Sequence, residues 1–358
     1  MSKRREIIRD LALQKYLVYS LNMKKKLKFI DLFAGIGGFR IALDNAGFQC
    51  VYSNDYNKYS CETYRANFGE IEFKDIKKIA SHEIPEFDIL CGGFPCQPFS
   101  LAGVSKKQSL GKEHGFKDKE QGNLFFEIIR IIKYHKPKVI FLENVKNLKS
   151  HDKKNTWKTI KSELEKCGYY VFDQIIDGKY YVPQHRQRIF IVCFDMKTYP
   201  DIEFDFPREP QKRMYELSEV LQKRVPEKYT LSDKLWNYLQ QHKKNSAAKG
   251  NGFGFGLFNG KSEFTRTISA RYYKDGSEVL IEQKNKNPRR LTPRECAKLQ
   301  GYPDNFIIPV SDSQAYRQFG NSVVVPVVSS IALQINKTLI NYNKGGARKA
   351  QMDLFKVA

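Results

Sequence analysis

The sequence predicts an α/β protein in which a doubly wound, Rossmann-like domain with a parallel sheet precedes a smaller, mostly β domain. Three observations carry this reading. From residue 27 onward, short apolar runs ending in glycine or an acid alternate with stretches of helical spacing. The first run, "LKFIDLF", passes into a helical stretch through the glycine turn "AGIGG". Beyond about residue 206 that rhythm stops and glycine- and aromatic-rich sequence takes over.

The elements follow in order. "LKFIDLF" is a strand and "FRIALDNAGF" a helix; "CVYSND" is a strand ending in acid, "FDILCGG" one ending in glycine, and "PKVIFLENV" one ending at Glu143. "GNLFFEIIRIIKYHK" supplies a helix between the last two. Ligands of such sheets sit at the carboxyl ends of the strands. Asp55, Cys96 and Glu143 all fall there. The expected domain limits are an N-terminal extension over 1–26, a catalytic and cofactor domain over 27–205, and a second domain over 206–315. Residues 316–345 then return to the first domain and 346–358 form a basic tail.

Lys and Arg number 61 against 39 Asp and Glu, a net charge of +22. That excess points to a polyanionic partner such as nucleic acid. It concentrates between residues 221 and 290, where 15 Lys/Arg face 6 Asp/Glu, about twice the mean density. Seven cysteines without a CxxC pair argue against a disulfide framework and against a zinc site. No run of about 18 apolar residues occurs and the N-terminus "MSKRREIIRD" lacks a signal-peptide core, so the expectation is a cytoplasmic protein with no membrane partner.

Strand, glycine turn and helix suggest backbone N–H groups close to a ligand. Gly35, Gly37 and Gly38 leave Arg40 where a dinucleotide fingerprint needs its third glycine. Asp55, ending the next strand, can accept from ribose hydroxyls. A cofactor with a ribose and no pyrophosphate fits, and S-adenosylmethionine is one.

Cys96 follows "GGFP", in a loop where Pro95 restricts the backbone and the glycines admit a ligand. A loop thiol near a strand-end carboxyl suits attack on a pyrimidine. Carbon 5 of cytosine is a poor nucleophile, but a thiolate adding at carbon 6 pushes electron density onto carbon 5, which can then take a methyl group. A carboxyl at ring N3 stabilises the charge that develops.

Six stretches in order, "FIDLFAGIGGFR", "GGFPCQPFS", "FLENV", "QHRQRIF", "TPRECAKLQGYPD" and "QFGNSVVVPV", resemble the motif set of the bacterial DNA (cytosine-5) methyltransferases of type II restriction-modification systems. The resemblance runs from about residue 29 to 326. It implies Cys96 as nucleophile, Glu143 on the target base, and Arg186 and Arg188 holding the base and the catalytic loop. Around S-adenosylmethionine, whose product is S-adenosylhomocysteine, it implies Phe33, Gly35, Ile36, Gly38, Asp55, Tyr56, Asp75, Ile76, Gly93, Pro95, Leu124, Asn321, Ser322 and Val323, with no metal. The partner is double-stranded DNA with the cytosine rotated out of the stack, bound by a monomer. A cognate restriction endonuclease acting on the same site is the second partner such a system implies. The loop "LAGVSKKQSLGKEHGFKDKEQ" is longer than in small family members, and its Lys106, Lys107 and Lys112 are either DNA contacts or part of a disordered insert.

Residues 249–281 are expected to read the target, with Arg266, Arg271, Tyr272 and Lys274 on DNA beside Gln97 and Ser100 of the cysteine loop. "GNGFGFG" with "TRTISARYYKDGSEVLI" resembles the recognition region of Dcm-like enzymes, which methylate CCWGG; CCNGG and CCGG are the related sites. Residues 1–26 are too short for a complete helix-turn-helix domain, so a helix packed on the catalytic domain is expected there in preference to a DNA-binding regulatory arm. A tRNA cytosine-5 methyltransferase, a silent DNA-binding protein on the same scaffold and a thymidylate-synthase-like enzyme are the alternatives. The long recognition segment, the intact Cys96, Glu143, Arg186 and Arg188, and the glycine turn with the basic second domain weigh against them in turn.

Overall fold

A computed structural model describes residues 26–95, 124–211, 216–248, 250 and 254–357, with side chains as far as residue 345. Cys96, Gln97, Ser100, Lys106, Lys107 and Lys112 lie outside the described residues, as do residues 1–25 of the N-terminal extension.

Seven strands form one sheet: β1 (Lys28–Leu32), β2 (Gln49–Asp55), β3 (Glu72–Phe73), β4 (Ile89–Gly93), β5 (Val139–Val145), β6 (Tyr169–Asp177) and β7 (Gln187–Asp195). Their order is β3-β2-β1-β4-β5-β7-β6. The chain winds outward from β1 in both directions, so the order reverses between β1 and β4, the place where such sheets open a ligand crevice. β1 pairs in parallel with β2 and β4, and β4 with β5. The sheet is not parallel throughout, because β7 runs antiparallel to both β5 and β6. Residues 178–186 join β6 to β7 with only a 3-10 turn, too short for the crossover that a parallel pair requires.

Both faces are covered. Helices α1 (Gly38–Asn45), α2 (Lys58–Phe68), α3 (Leu124–His135) and α4 (Asn155–Lys166) connect the strands. Along α3 the sequence places Phe125, Ile128, Ile129, Ile131 and Ile132 at helical spacing, and all five are buried against Ile30, Leu90 and Ile140 of the sheet. Each such side chain contributes about 1.5–3 kcal/mol. The opposite face packs Phe39, Ala42 and Leu43 of α1 against the returning C-terminal helix.

The second part of the chain is built from α5 (Leu217–Val220), α6 (Asp233–Ala248) and a small sheet of β8 (Leu257–Phe258), β9 (Leu280–Gln283) and β10 (Lys286–Arg290). α7 (Pro293–Leu299) opens on a capping box of Thr292 and Glu295. α8 (Asp312–Asn321) and α9 (Val325–Val357) lead back to the first sheet. The stretch Asp312–Gly345 is long and apolar enough to cross a membrane by composition, but half of its apolar window is buried in the fold. Val327, Val328, Ile331, Ile335 and Leu339 supply the core there.

Candidate active site

The site grows from the ends of β1, β2, β4 and β5. After β1 the backbone passes through left-handed conformations at Phe33 (φ 55°), Gly35 (φ 56°) and Gly37 (φ 84°). A Cβ on Gly37 would lie 2.2 Å from the Phe68 ring, so this turn closes only around glycine. Asp55, buried at the end of β2, clamps the turn: one carboxylate oxygen accepts from Gly35 N at 2.9 Å and the other from Asn57 N at 2.7 Å. Burial pushes the Asp55 carboxyl up, against the pull of those N–H groups. Each oxygen still has a lone pair for a ribose hydroxyl.

Tyr56 follows Asp55 and is 66% exposed, an aromatic surface left open beside the turn. Asp75 caps the 3-10 turn at Ile76–Lys78 by accepting from Lys77 N at 3.0 Å. Phe33 and Leu124 are partly buried, and both pack on the apolar layer that contains Ile76. Gly38 begins α1 under the C-terminal segment, where a Cβ would meet Val323 Cγ2 at 2.6 Å and the Tyr302 hydroxyl at 3.0 Å. That hydroxyl hydrogen-bonds the Ser322 hydroxyl at 2.7 Å. Asn321 is exposed at the end of α8. Of the expected cofactor residues, Asp55 thus holds Gly35, and Gly38 lies against Ser322 and Val323. Ile36 and Ile76 are each 3% exposed and belong to apolar core clusters, so their side chains pack the fold instead of facing a ligand.

Glu143 sits beside Gly93 across the β4–β5 pair. A Cβ on Gly93 would stand 3.2 Å from Glu143 Oε2, so glycine leaves that carboxylate room. On the other side the antiparallel register brings Arg188 of β7 opposite Val145, diagonal to Glu143 on the same face. Arg188 Nε lies 3.0 Å from Glu143 Oε1. Burial pushes the Glu143 carboxyl up, and the guanidinium charges of Arg188 and Arg186 oppose it without cancelling it. Asn144 donates from Nδ2 to Phe94 O at 3.2 Å and so ties β5 to the segment that runs through Pro95 into Cys96.

A match to the model of the C-5 cytosine-specific DNA methylases extends over residues 27–337. The chain belongs to that family. It is a DNA (cytosine-5-)-methyltransferase. It is 52% identical over 310 residues to Type II methyltransferase M.DsaV of Dactylococcopsis salina, covering 86% of each chain. It is 51% identical over 319 residues to Type II methyltransferase M1.ScrFI of Lactococcus lactis subsp. cremoris, covering 88% of this chain and 79% of that one. The fold is also that of the Entamoeba histolytica methyltransferase EhMeth, with a TM-score of 0.70 at 23% identity over 90% of this chain and 99% of that one.

In this methylase Arg186 also takes part in the tertiary structure. Its side chain is 2% exposed, and the guanidinium donates to three backbone carbonyls: Ile268 O at 2.9 Å, Gly320 O at 2.9 Å and Ser322 O at 2.6 Å. These bonds hold three segments of the chain together. The residues expected to read DNA also divide. Tyr272 cannot touch DNA: it is fully buried, donating to Val279 O at 2.6 Å and accepting from Leu291 N at 2.8 Å. Its alternation with exposed neighbours reads as a strand, but residues 270–275 form turns that fold the ring inward onto Tyr316. Arg266, Arg271 and Lys274 are exposed, and Arg266 Nη1 is held by Gly254 O at 2.6 Å.

Two supporting residues escaped the sequence reading. Asp177 ends β6 and accepts from Lys179 N and Arg186 N, both at 3.1 Å, while its second oxygen lies 2.7 Å from His185 Nδ1. An acid closing an apolar strand is the signal already used for Asp55 and Glu143. Gln184, fully buried, donates to Leu299 O at 3.1 Å and accepts from Ile268 N at 3.0 Å. A separate cavity of about 320 Å³ beside β2, walled by Arg40, Cys50, Phe68 and Glu72, contains none of the expected site residues. Among the described residues no group of His, Cys, Asp and Glu could hold a metal ion.

Proposed function

We propose that this methylase transfers a methyl group from S-adenosylmethionine to carbon 5 of a cytosine flipped out of a short duplex site, through a covalent bond between Cys96 and carbon 6. The observation that carries the reading is the buried Glu143 carboxyl, fixed by Arg188 beside Gly93, three residues before Cys96 in the chain. Burial holds Glu143 toward its protonated form, which donates to ring N3 where negative charge develops as the thiolate adds. The thiolate of Cys96 adds to carbon 6, carbon 5 takes the methyl group, and loss of the carbon 5 proton expels the thiolate. When bound, the cofactor supplies the electrophilic methyl. Toward it, Tyr56 offers a stacking face, Asp55 acceptors for a ribose, and Gly93 with Pro95 the floor on the Glu143 side.

The four-part organisation after the N-terminal extension, with recognition by residues within 206–315, is part of the same proposal. So are a monomer, a CCWGG-like site read through Arg266, Arg271 and Lys274, Gln97 and Ser100 on DNA, and protection of host DNA beside a cognate endonuclease. About 50% identity to type II methyltransferases supports DNA over tRNA as substrate.

Bisulfite sequencing of plasmid from methylation-free cells expressing the wild type or Cys96→Ser tests this directly. Cytosines protected in one short motif by the wild type alone are the expected result. Unprotected DNA despite abundant soluble wild-type protein would overturn the proposal.

A further inference from the structure

The buried guanidinium of Arg186 joins three segments distant in sequence. It donates to Ile268 O in the recognition segment, and to Gly320 O and Ser322 O where α8 gives way to the C-terminal helix. The strand that starts at the next residue carries Arg188, which holds Glu143. The recognition segment lies directly on the same junction. A Cβ on Gly320 would stand 2.2 Å from Ser269 O and 2.5 Å from Ala270 N, so the two backbones touch with no room for a side chain. On the other side, Ser322 and Val323 pack through Tyr302 and directly onto Gly38, the start of α1 after the glycine turn.

A second set of bonds ties the recognition segment to the residues just before Arg186. His185 N donates to Thr265 O and Thr265 N to Pro183 O, both at 2.9 Å, and Ile268 N donates to the buried Gln184 side chain. Any shift of residues 265–270 on DNA therefore moves the carbonyl that Arg186 grips. A planar guanidinium bonding three carbonyls at once passes that shift to the cofactor-side segment; an ammonium, a point charge with a different fan of donors, cannot reproduce the geometry.

We propose that Arg186 is a positioning residue that couples target recognition to cofactor binding, by fixing the recognition segment to the Gly320–Ser322 junction. This rests on the methyl-transfer reading above. Coupling of this kind is reciprocal: a recognised duplex tightens the cofactor by the factor with which the cofactor tightens the duplex.

The test is calorimetric titration of S-adenosylhomocysteine into the full-length protein, alone, with a duplex carrying the motif the wild type protects, and with a scrambled duplex of equal length. In the wild type the motif duplex should tighten S-adenosylhomocysteine by roughly 5- to 100-fold over the scrambled one. In Arg186→Lys that ratio should fall to within about twofold of unity, whatever the affinity measured without DNA. Should Arg186→Lys fail to fold, Gly320→Ala, which forces Ser269 away from the same junction, is read by the same ratio. A wild-type ratio of one, or a variant that folds and keeps the wild-type ratio, would overturn the proposal. A wild type that methylates no duplex would instead remove the reading on which it rests.

Discussion

Replacing Arg188 with Leu should destabilise the protein by an amount that grows with pH. The guanidinium lies 3.0 Å from Glu143 Oε1, with side-chain exposures of 17% and 11%. At an effective dielectric of about 20 the gross attraction at that distance is about 5.5 kcal/mol, most of it offset by the desolvation of both charges. Removing one partner strands the other in a buried position, which costs about 3–5 kcal/mol when the remaining group must stay charged. Glu143 has an escape, because it can take up a proton. Burial already holds its carboxyl above the ordinary glutamate range and Arg188 is the leading charge that opposes this, so the variant's carboxyl rises further. A carboxyl whose folded value lies above its unfolded value adds stability at low pH that is lost as pH climbs through the window between the two. The variant's window extends to higher pH than the wild type's, so the loss accumulates on the alkaline side, by at most about 1.4 kcal/mol per pH unit for one proton. Urea denaturation at pH 5 and pH 8 should therefore show a penalty larger at pH 8 by about 1–3 kcal/mol. Adding Glu143→Gln should abolish the difference. An equal penalty at both pH values would refute the account of Glu143 as a buried acid restrained by Arg188.

Glu143→Gln alone keeps an amide N–H toward ring N3 but removes the transferable proton, so turnover should fall by about 100-fold or more while duplex affinity stays within a few-fold, as read by methyl transfer and fluorescence anisotropy. Asp55→Ala frees the backbone N–H groups of Gly35 and Asn57 that the carboxylate now holds. S-adenosylhomocysteine binding by calorimetry should weaken by about 10-fold or more; unchanged affinity would remove Asp55 from the cofactor site. Tyr272→Phe deletes the donor to Val279 O and the acceptor for Leu291 N, and should cost about 1–3 kcal/mol without altering the methylated motif. A changed motif would return Tyr272 to the DNA interface.

The catalytic half of the fold was legible because its signals are local. An apolar run closed by Asp55, Gly93 or Glu143 marks both a strand and the end of the sheet where ligands bind, and each of these residues stands where such a run ends. The reversed strand β7 was not legible, since "RIFIVCF" is as apolar as the parallel strands and direction leaves no trace in composition. The only trace lay in the connection, a stretch of nine residues after "QIID" with no helix long enough to cross back over the sheet.

The arginines show where a motif stops informing. Arg186 and Arg188 are two residues apart on neighbouring positions of one segment, and spacing alone assigns them a shared task. The strand begins between them, at Gln187, so the sheet fixes only Arg188 beside Glu143, while Arg186 bonds Ile268, Gly320 and Ser322, which lie 82, 134 and 136 residues further on. A positive charge that is 2% exposed must be satisfied wherever the fold brings acceptors together, and the carbonyls at the end of α8 and at Ile268 are such acceptors. Those carbonyls are present in any sequence, so no residue type announces them. The bonding of Arg186 is for that reason a property of the tertiary structure, and it joins Ile268 to Gly320 and Ser322 at a position that the motif assigns to the base.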